Sequence, residues 1–329
     1  MTKTLISIVI IFLITLFSFC SSYAKIAYTC DDTKSGYYQI FTMDDDGGNK
    51  LQITNIEANC SHPKWSPDGT KIVFQTDDDR IFLINNMDAE TPDAPVFVFG
   101  GSNPTFTSDS YYIIFNSDHD GVLTIYLIDP EEGEPYIIST LGYSNQQVLS
   151  KDGKKLIFSA FYQDNKSVMM VDLEDTTDDN TFKISSNDNA NLVPDVNFDG
   201  SIIVYASFNN QLNGTIIINI NGKETALTKG ITSSNQPKLS PDEKKIAFVV
   251  INNTTVKLYT MNLDGTDKQA LSTSGGSIGY FTWMDSGNII YDAEDGKSYS
   301  VGIFNINSGK NSLIAKEGNC LHPDGIALN

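Results

Sequence analysis

A chain of 329 residues with 41 acidic and 22 basic residues carries a net charge of −19 and a single arginine, Arg80. Phosphate-backbone recognition needs clustered Lys and Arg, so a nucleic-acid role is excluded, and the acidic excess first of all keeps such a protein soluble and monomeric. The length allows one large all-β domain or two ordinary ones.

The chain opens with Lys3, an apolar run over residues 5–19 and the small-x-small signal Ser22-Tyr23-Ala24. This is the pattern of a cleaved signal peptide over residues 1–24, and the run is too short to span a bilayer. Cys20 offers a lipoprotein alternative, against which Phe19 places a bulky ring where a small residue is wanted. Residues 25–329 are therefore expected to form a mature protein with no membrane span, periplasmic or secreted, in an oxidising compartment.

The stretch His62-Pro63-Lys64-Trp65-Ser66-Pro67-Asp68-Gly69-Thr70-Lys71-Ile72-Val73-Phe74 reads as strand, turn, strand. Pro presets φ, Asp bonds its own backbone and Gly accepts positive φ. Copies follow with their proline-equivalent position at residues 104, 147, 194, 237 and 280. A spacing of about 41 to 47 residues, with four short strands per period, is the signature of propeller blades. Third strands are seen in Arg80-Ile81-Phe82-Leu83-Ile84 and Val256-Lys257-Leu258-Tyr259, and short fourth strands in Ala226-Leu227-Thr228 and Ala270-Leu271-Ser272.

A seventh copy begins at Glu317-Gly318-Asn319-Cys320-Leu321-His322-Pro323, which matches Glu57-Ala58-Asn59-Cys60-Ser61-His62-Pro63. The chain stops after its first strand. Lys25-Ile26-Ala27-Tyr28-Thr29-Cys30 matches the second strand, so residues 320–328 are expected to pair beside residues 26–30. The fold class is all-β, a propeller of seven four-stranded antiparallel blades closed by its terminal segments, with six blades as the alternative count. Closure removes the free sheet edges that invite aggregation.

At these residues the chain resembles the WD40-like repeats of the TolB-type β-propellers, whose unit joins a proline, an aromatic, Ser-Pro-Asp-Gly, an Ile-Ala-Phe strand and an Ile-Tyr strand. The resemblance covers about residues 25–329 and implies the fold and an exported setting. TolB itself adds an α/β domain ahead of a six-bladed propeller, which this chain does not repeat.

Cys30, Cys60 and Cys320 remain in the mature chain. In the aligned hairpin Cys30 and Cys320 face each other, which predicts a disulfide joining the two ends of the ring. Pairings with Cys60 and three unpaired thiols stay open.

Three candidate chemistries stand out. Gly275-Gly276-Ser277-Ile278-Gly279 spells the G-x-S-x-G pattern, which serves hydrolysis only on a strand-to-helix elbow with a base at hand. His62 and His322, each two residues after a cysteine, are suitable ligand types for zinc but are equally explained by repetition. The loops after the second strands carry Asp31, Asp32, Asp77, Asp78, Asp79, Asp118, Asp120, Asp164, Glu294 and Asp295. They emerge on one face of adjacent blades and form an acidic arc for a protein partner, a basic one, or for Ca²⁺. The expectation is a non-enzymatic scaffold with no resident cofactor and no catalytic residues. An enzyme or glycan-binding propeller, with carboxylates or a metal at the channel, is the alternative.

Overall fold

The computed structural model describes residues 25–31, 35–139, 141–175 and 180–327. The expected leader over residues 1–24 and Asp32 lie outside them. The described residues form seven four-stranded antiparallel sheets and no helix, so none is long and apolar enough to cross a membrane. Numbering blades along the chain, the first strands are Cys60–Trp65, Ser102–Phe106, Asn145–Leu149, Ala190–Val196, Ser234–Leu239, Ser277–Trp283 and, for blade 7, Cys320–Ile326. Blade 7 is completed by Lys25–Cys30, Gln39–Asp44 and Leu51–Gln52 in that order. First strands of neighbouring blades pack on each other around the axis, as Cys320–Ile326 does on Cys60–Trp65 and on Ser277–Trp283.

Each second strand is apolar on both faces because it is covered on both sides. Ile72 and Phe74 pack toward blade 7 while Val73 between them packs toward blade 2. Seven hydrophobic clusters result, one in each gap between blades. At one register of every second strand stands an aromatic, Tyr28, Phe74, Phe115, Phe158, Tyr205, Phe248 or Tyr291, each at most 2 % exposed. Burial of such rings is worth about 2 to 3 kcal/mol apiece before entropy is charged.

The recurring turn has a physical cause beyond its φ angles. In blade 1 the Ser66 hydroxyl donates to Asp68 Oδ1 at 2.6 Å and accepts from Lys71 N–H at 2.9 Å. Thr107 with Asp109, Ser150 with Asp152 and Ser240 with Asp242 repeat the hydroxyl-to-carboxylate contact. A hydroxyl residue with an Asp two places later makes this contact in blades 1, 2, 3 and 5, and in blade 4 Asn197 Nδ2 donates to Asp199 at 3.0 Å in its place. Proline is dispensable.

Outer strands end earlier than expected: Lys223–Ala226 and Gln269–Ala270 stop before Leu227 and Leu271. Each of these leucines makes one more backbone bond, to Ile216 O and to Leu258 O at 2.8 Å. Leu227 is buried, so the chain turns inward there to fill the gap between blades.

Cys30 and Cys320 form the expected disulfide across paired strands. Cys60, at the equivalent place in blade 1, is a free buried thiol whose pKa burial pushes up to about 11.

Candidate functional site

Antiparallel strands place the loops after the second strands and the blade-to-blade connections on one face of the disc. That face holds the acidic arc. Most of its carboxylates are engaged locally. Asp77 Oδ2 accepts from Asn59 Nδ2 at 2.7 Å, and Asn59 Oδ1 in turn accepts from Tyr38 N–H at 3.0 Å in blade 7. The same three-part rivet recurs one blade back: Asn319 Nδ2 donates to Asp31 at 3.0 Å, and Asn319 Oδ1 accepts from Tyr299 N–H at 3.2 Å. Asp31 and Asp77 thus join blades. Asp78 takes Arg80 Nε at 2.8 Å, which draws its pKa down. Asp120 accepts from the Tyr126 hydroxyl at 2.7 Å, and Glu294 from that of Tyr299 at 3.3 Å. Asp295 is held below its ordinary range by the backbone N–H groups of Ser298 and Lys297. Asp79 sits at φ 57°, with its carbonyl taken by Gly101 N–H, and the Asp118 carbonyl takes Gly121 N–H. Among the described residues no three His, Cys, Asp or Glu side chains converge as a metal site would require.

The same face carries a feature that sequence reading missed. Val122, Tyr143 and Leu212 in loops of blades 2 to 4, with Phe161 and Tyr162 at the end of the strand Lys155–Tyr162, are 36 to 78 % exposed. The rings of Tyr143 and Phe161 meet edge to face at 5.8 Å, Lys166 Nζ lies 5.9 Å from the Phe161 ring and Lys183 Nζ 5.9 Å from that of Tyr162. Single exposed apolar residues mean little, but here Tyr143 and Phe161 touch and two lysines lie beside the exposed rings. The available signal was an apolar residue in the loops at Val122, Tyr143 and Leu212 and the two rings that end the strand before Gln163.

A second group lies on the innermost strands at the seam of ring closure. The His62 and His322 rings stack at 3.9 Å, and Lys64 Nζ donates to Asp324 at 2.9 Å and to the Tyr280 hydroxyl at 2.7 Å. Burial, each other and Lys64 hold the rings neutral, His62 down to about 3 and His322, by burial and Lys64, to about 4. Burial disfavours the Lys64 charge, yet Asp324 and Tyr280 outweigh it and raise its pKa. Asp324 also accepts from Trp65 N–H at 3.0 Å. Asp195 treats Lys238 and Leu239 N–H in the same way between blades 4 and 5. This repetition identifies the lysine–aspartate pair as a joint between blades. Neither cysteine serves as a zinc ligand beside the histidines: Cys320 is in the disulfide, and Cys60 lies within 3.9 Å of Gln39 Oε1 and of the Ala58 carbonyl. Ser277 begins a strand and contacts Thr254 O and Val256 N–H, so the G-x-S-x-G match has no elbow.

The fold is shared with solved propellers. TolB from Acinetobacter baumannii superposes with a TM-score of 0.56 at 18 % identity, over 92 % of this chain and 66 % of that one. A puromycin-hydrolyzing peptidase from Mycobacterium tuberculosis gives 0.69 at 11 % identity over 89 % of this chain, which spans 52 % of that protein. Oligogalacturonate lyase from Vibrio parahaemolyticus gives 0.61 at 14 %, over 90 % of this chain and 85 % of the lyase. Such identities concern the fold alone. No family model and no curated protein matches the chain. The class is the β-propeller, and the TolB resemblance of the repeat units extends to three dimensions.

Proposed function

We propose that the chain is an exported, non-enzymatic scaffold that binds a protein partner through the face bearing the loops after the second strands. The carrying observation is the exposed set Val122, Tyr143, Phe161, Tyr162 and Leu212 beside the acidic arc on that face. An apolar centre with a charged rim is the usual anatomy of a protein contact. The Cys30–Cys320 disulfide supports an oxidising, exported setting. A photocrosslinking residue at Tyr143, compared with one at Ile220 on the opposite face, tests this in the producing cell. A discrete protein adduct from position 143 alone is expected; equal adducts from both positions, or none, would reject the reading.

A second reading, a catalytic or glycan-binding channel, has in its favour the group His62, Lys64, Tyr280 and Asp324 on the innermost strands. Turnover or retention of an oligosaccharide, abolished by Tyr280→Phe, would establish it.

A further inference from the structure

The outer strand of each blade is a sheet edge, and five of the seven are guarded. Lys183 and Lys223 lie within their strands, and Lys50, Lys268 and Lys310 stand immediately before or one residue before theirs. Edge lysines are the common device against strand-to-strand pairing. The outer strands of neighbouring blades 1 and 2, Val96–Gly100 and Pro135–Ser139, lack it. They carry Val96, Phe97, Tyr136 and Ile137, each at least 50 % exposed. A bulge at Val98 and at Ile138 turns the remainder inward, where Phe99 packs on Phe115 at 5.6 Å.

The electrostatics of this quarter are one-sided. Residues 81–150 contain ten carboxylates and no lysine or arginine. Between the blade 1 edge and the blade 2 turn at Asp129–Glu131 lies a groove of about 120 Å³ with Val96, Phe97 and Tyr111 in its wall. Its one lysine, Lys71, is spent on the Ser110 carbonyl at 2.8 Å. A second copy of the chain would bring the same ten charges against these ten. An anionic bilayer would be repelled in the same way.

We infer that the rim of blades 1 and 2 is a docking edge for an extended peptide segment that alternates basic and apolar residues. The apolar side chains of such a strand lie on Val96, Phe97, Tyr136 and Ile137, its backbone meets one open edge, and its cations face the exposed Glu131 and Glu134. This surface is separate from the loop face and stands or falls independently of it.

The test uses the full mature protein and a fluorescein-labelled eight-residue peptide alternating Lys and Val, with a Glu–Val peptide as control. Three variants add the same charge: Phe97→Lys with Tyr136→Lys, Glu131→Gln with Glu134→Gln, and Glu57→Gln with Glu317→Gln, exposed on the loop face outside the acidic arc. Near-ultraviolet circular dichroism confirms that each is folded. Fluorescence anisotropy should show binding of the Lys–Val peptide only, weakened about tenfold or more by the two rim variants and unchanged by the loop-face variant. Equal weakening by all three would reduce the effect to bulk charge and overturn the inference, as would absence of binding at millimolar peptide. Light scattering that shows a dimer dissolved by Phe97→Lys with Tyr136→Lys would instead assign the edge to a second copy.

Discussion

Cys30 and Cys320 stand 290 residues apart in sequence and opposite each other in space, so their bond constrains almost the whole chain. On the chain-entropy model a loop of that size is worth roughly 5 to 6 kcal/mol as an upper figure. Cys30→Ser with Cys320→Ser should therefore lower the melting temperature strongly, and a reductant should bring the native protein down to the same value. Reduction should leave Cys60→Ser at that same reduced value, since Cys60 takes no part in the clasp. The stacked His62 and His322 give a second residue-scale expectation. Their pKa values in the fold, about 3 and about 4, lie below the 6.5 of a free imidazole. The unfolded chain takes up protons that the native state refuses, so stability present above pH 6.5 is lost as pH falls toward 4. Asp292 opposes this, because burial raises its pKa to about 6 and the native state binds its proton first between about pH 4 and 6. Two rings outweigh one carboxyl, and the net loss between pH 7 and 5 should be on the order of 2 kcal/mol. Urea denaturation across that range checks it, and His62→Gln with His322→Gln should remove the acid-side fall.

At the scale of the element, the first strands show what sequence could and could not reveal. The periodic Ser-Pro-Asp-Gly turns were legible because hydroxyl, carboxylate and glycine each satisfy a local requirement that any copy must repeat. The bulge that follows each strand start was not. It places His62, Asn103, Gln146, Val193, Gln236 and His322 at φ near 50°, and while Asn and His are enriched in that conformation, Gln and Val give no sign of it. The reason is tertiary: the bulge turns an N–H out of the ladder, and the neighbouring blade receives it. Asn103 N–H donates to Gln75 at 2.7 Å, Val193 N–H to Gln146 at 2.9 Å and His322 N–H to Asp292 at 2.7 Å. Close backbone approach at the blade junctions has the same cause. A Cβ on Gly101 would lie 2.3 Å from the Asn116 carbonyl and 2.8 Å from the Phe115 ring. Gly101→Ala should therefore force apart the junction of blades 1 and 2, costing about 2 to 3 kcal/mol by denaturation, while Gly121→Ala, with nothing within 4 Å of the added atom, should cost less than half of that through its φ of 84° alone.

For the whole molecule the decisive fact is that blade 7 belongs to both ends of the chain. Its first strand comes from Cys320–Ile326 and its other three from residues before 53. This closure was readable because two heptads, residues 57–63 and 317–323, are nearly identical and the missing strands reappear at residue 25. The candidate site was less readable. The acidic arc was visible as composition, but its carboxylates proved to be bound by Asn59, Asn319, Arg80 and Tyr126, partners set by neighbouring strands rather than by adjacent sequence. The exposed rings near Tyr143 and the apolar outer strands of blades 1 and 2 depend on where a side chain is left uncovered, which only the assembled ring decides. Removing residues 320–329 tests the closure directly. Lys25–Cys30 would lose its partner strand, Tyr28 and Met43 their cover against blade 6, and Lys64 its carboxylate, Asp324. With one edge bared and a buried cation unpaired, the shortened chain should be recovered as soluble aggregate or inclusion material. The double cysteine variant, which keeps the strand and loses only the bond, should remain a folded monomer by light scattering. If the shortened chain were equally folded and monomeric, the terminal strand would not be what holds the ring shut.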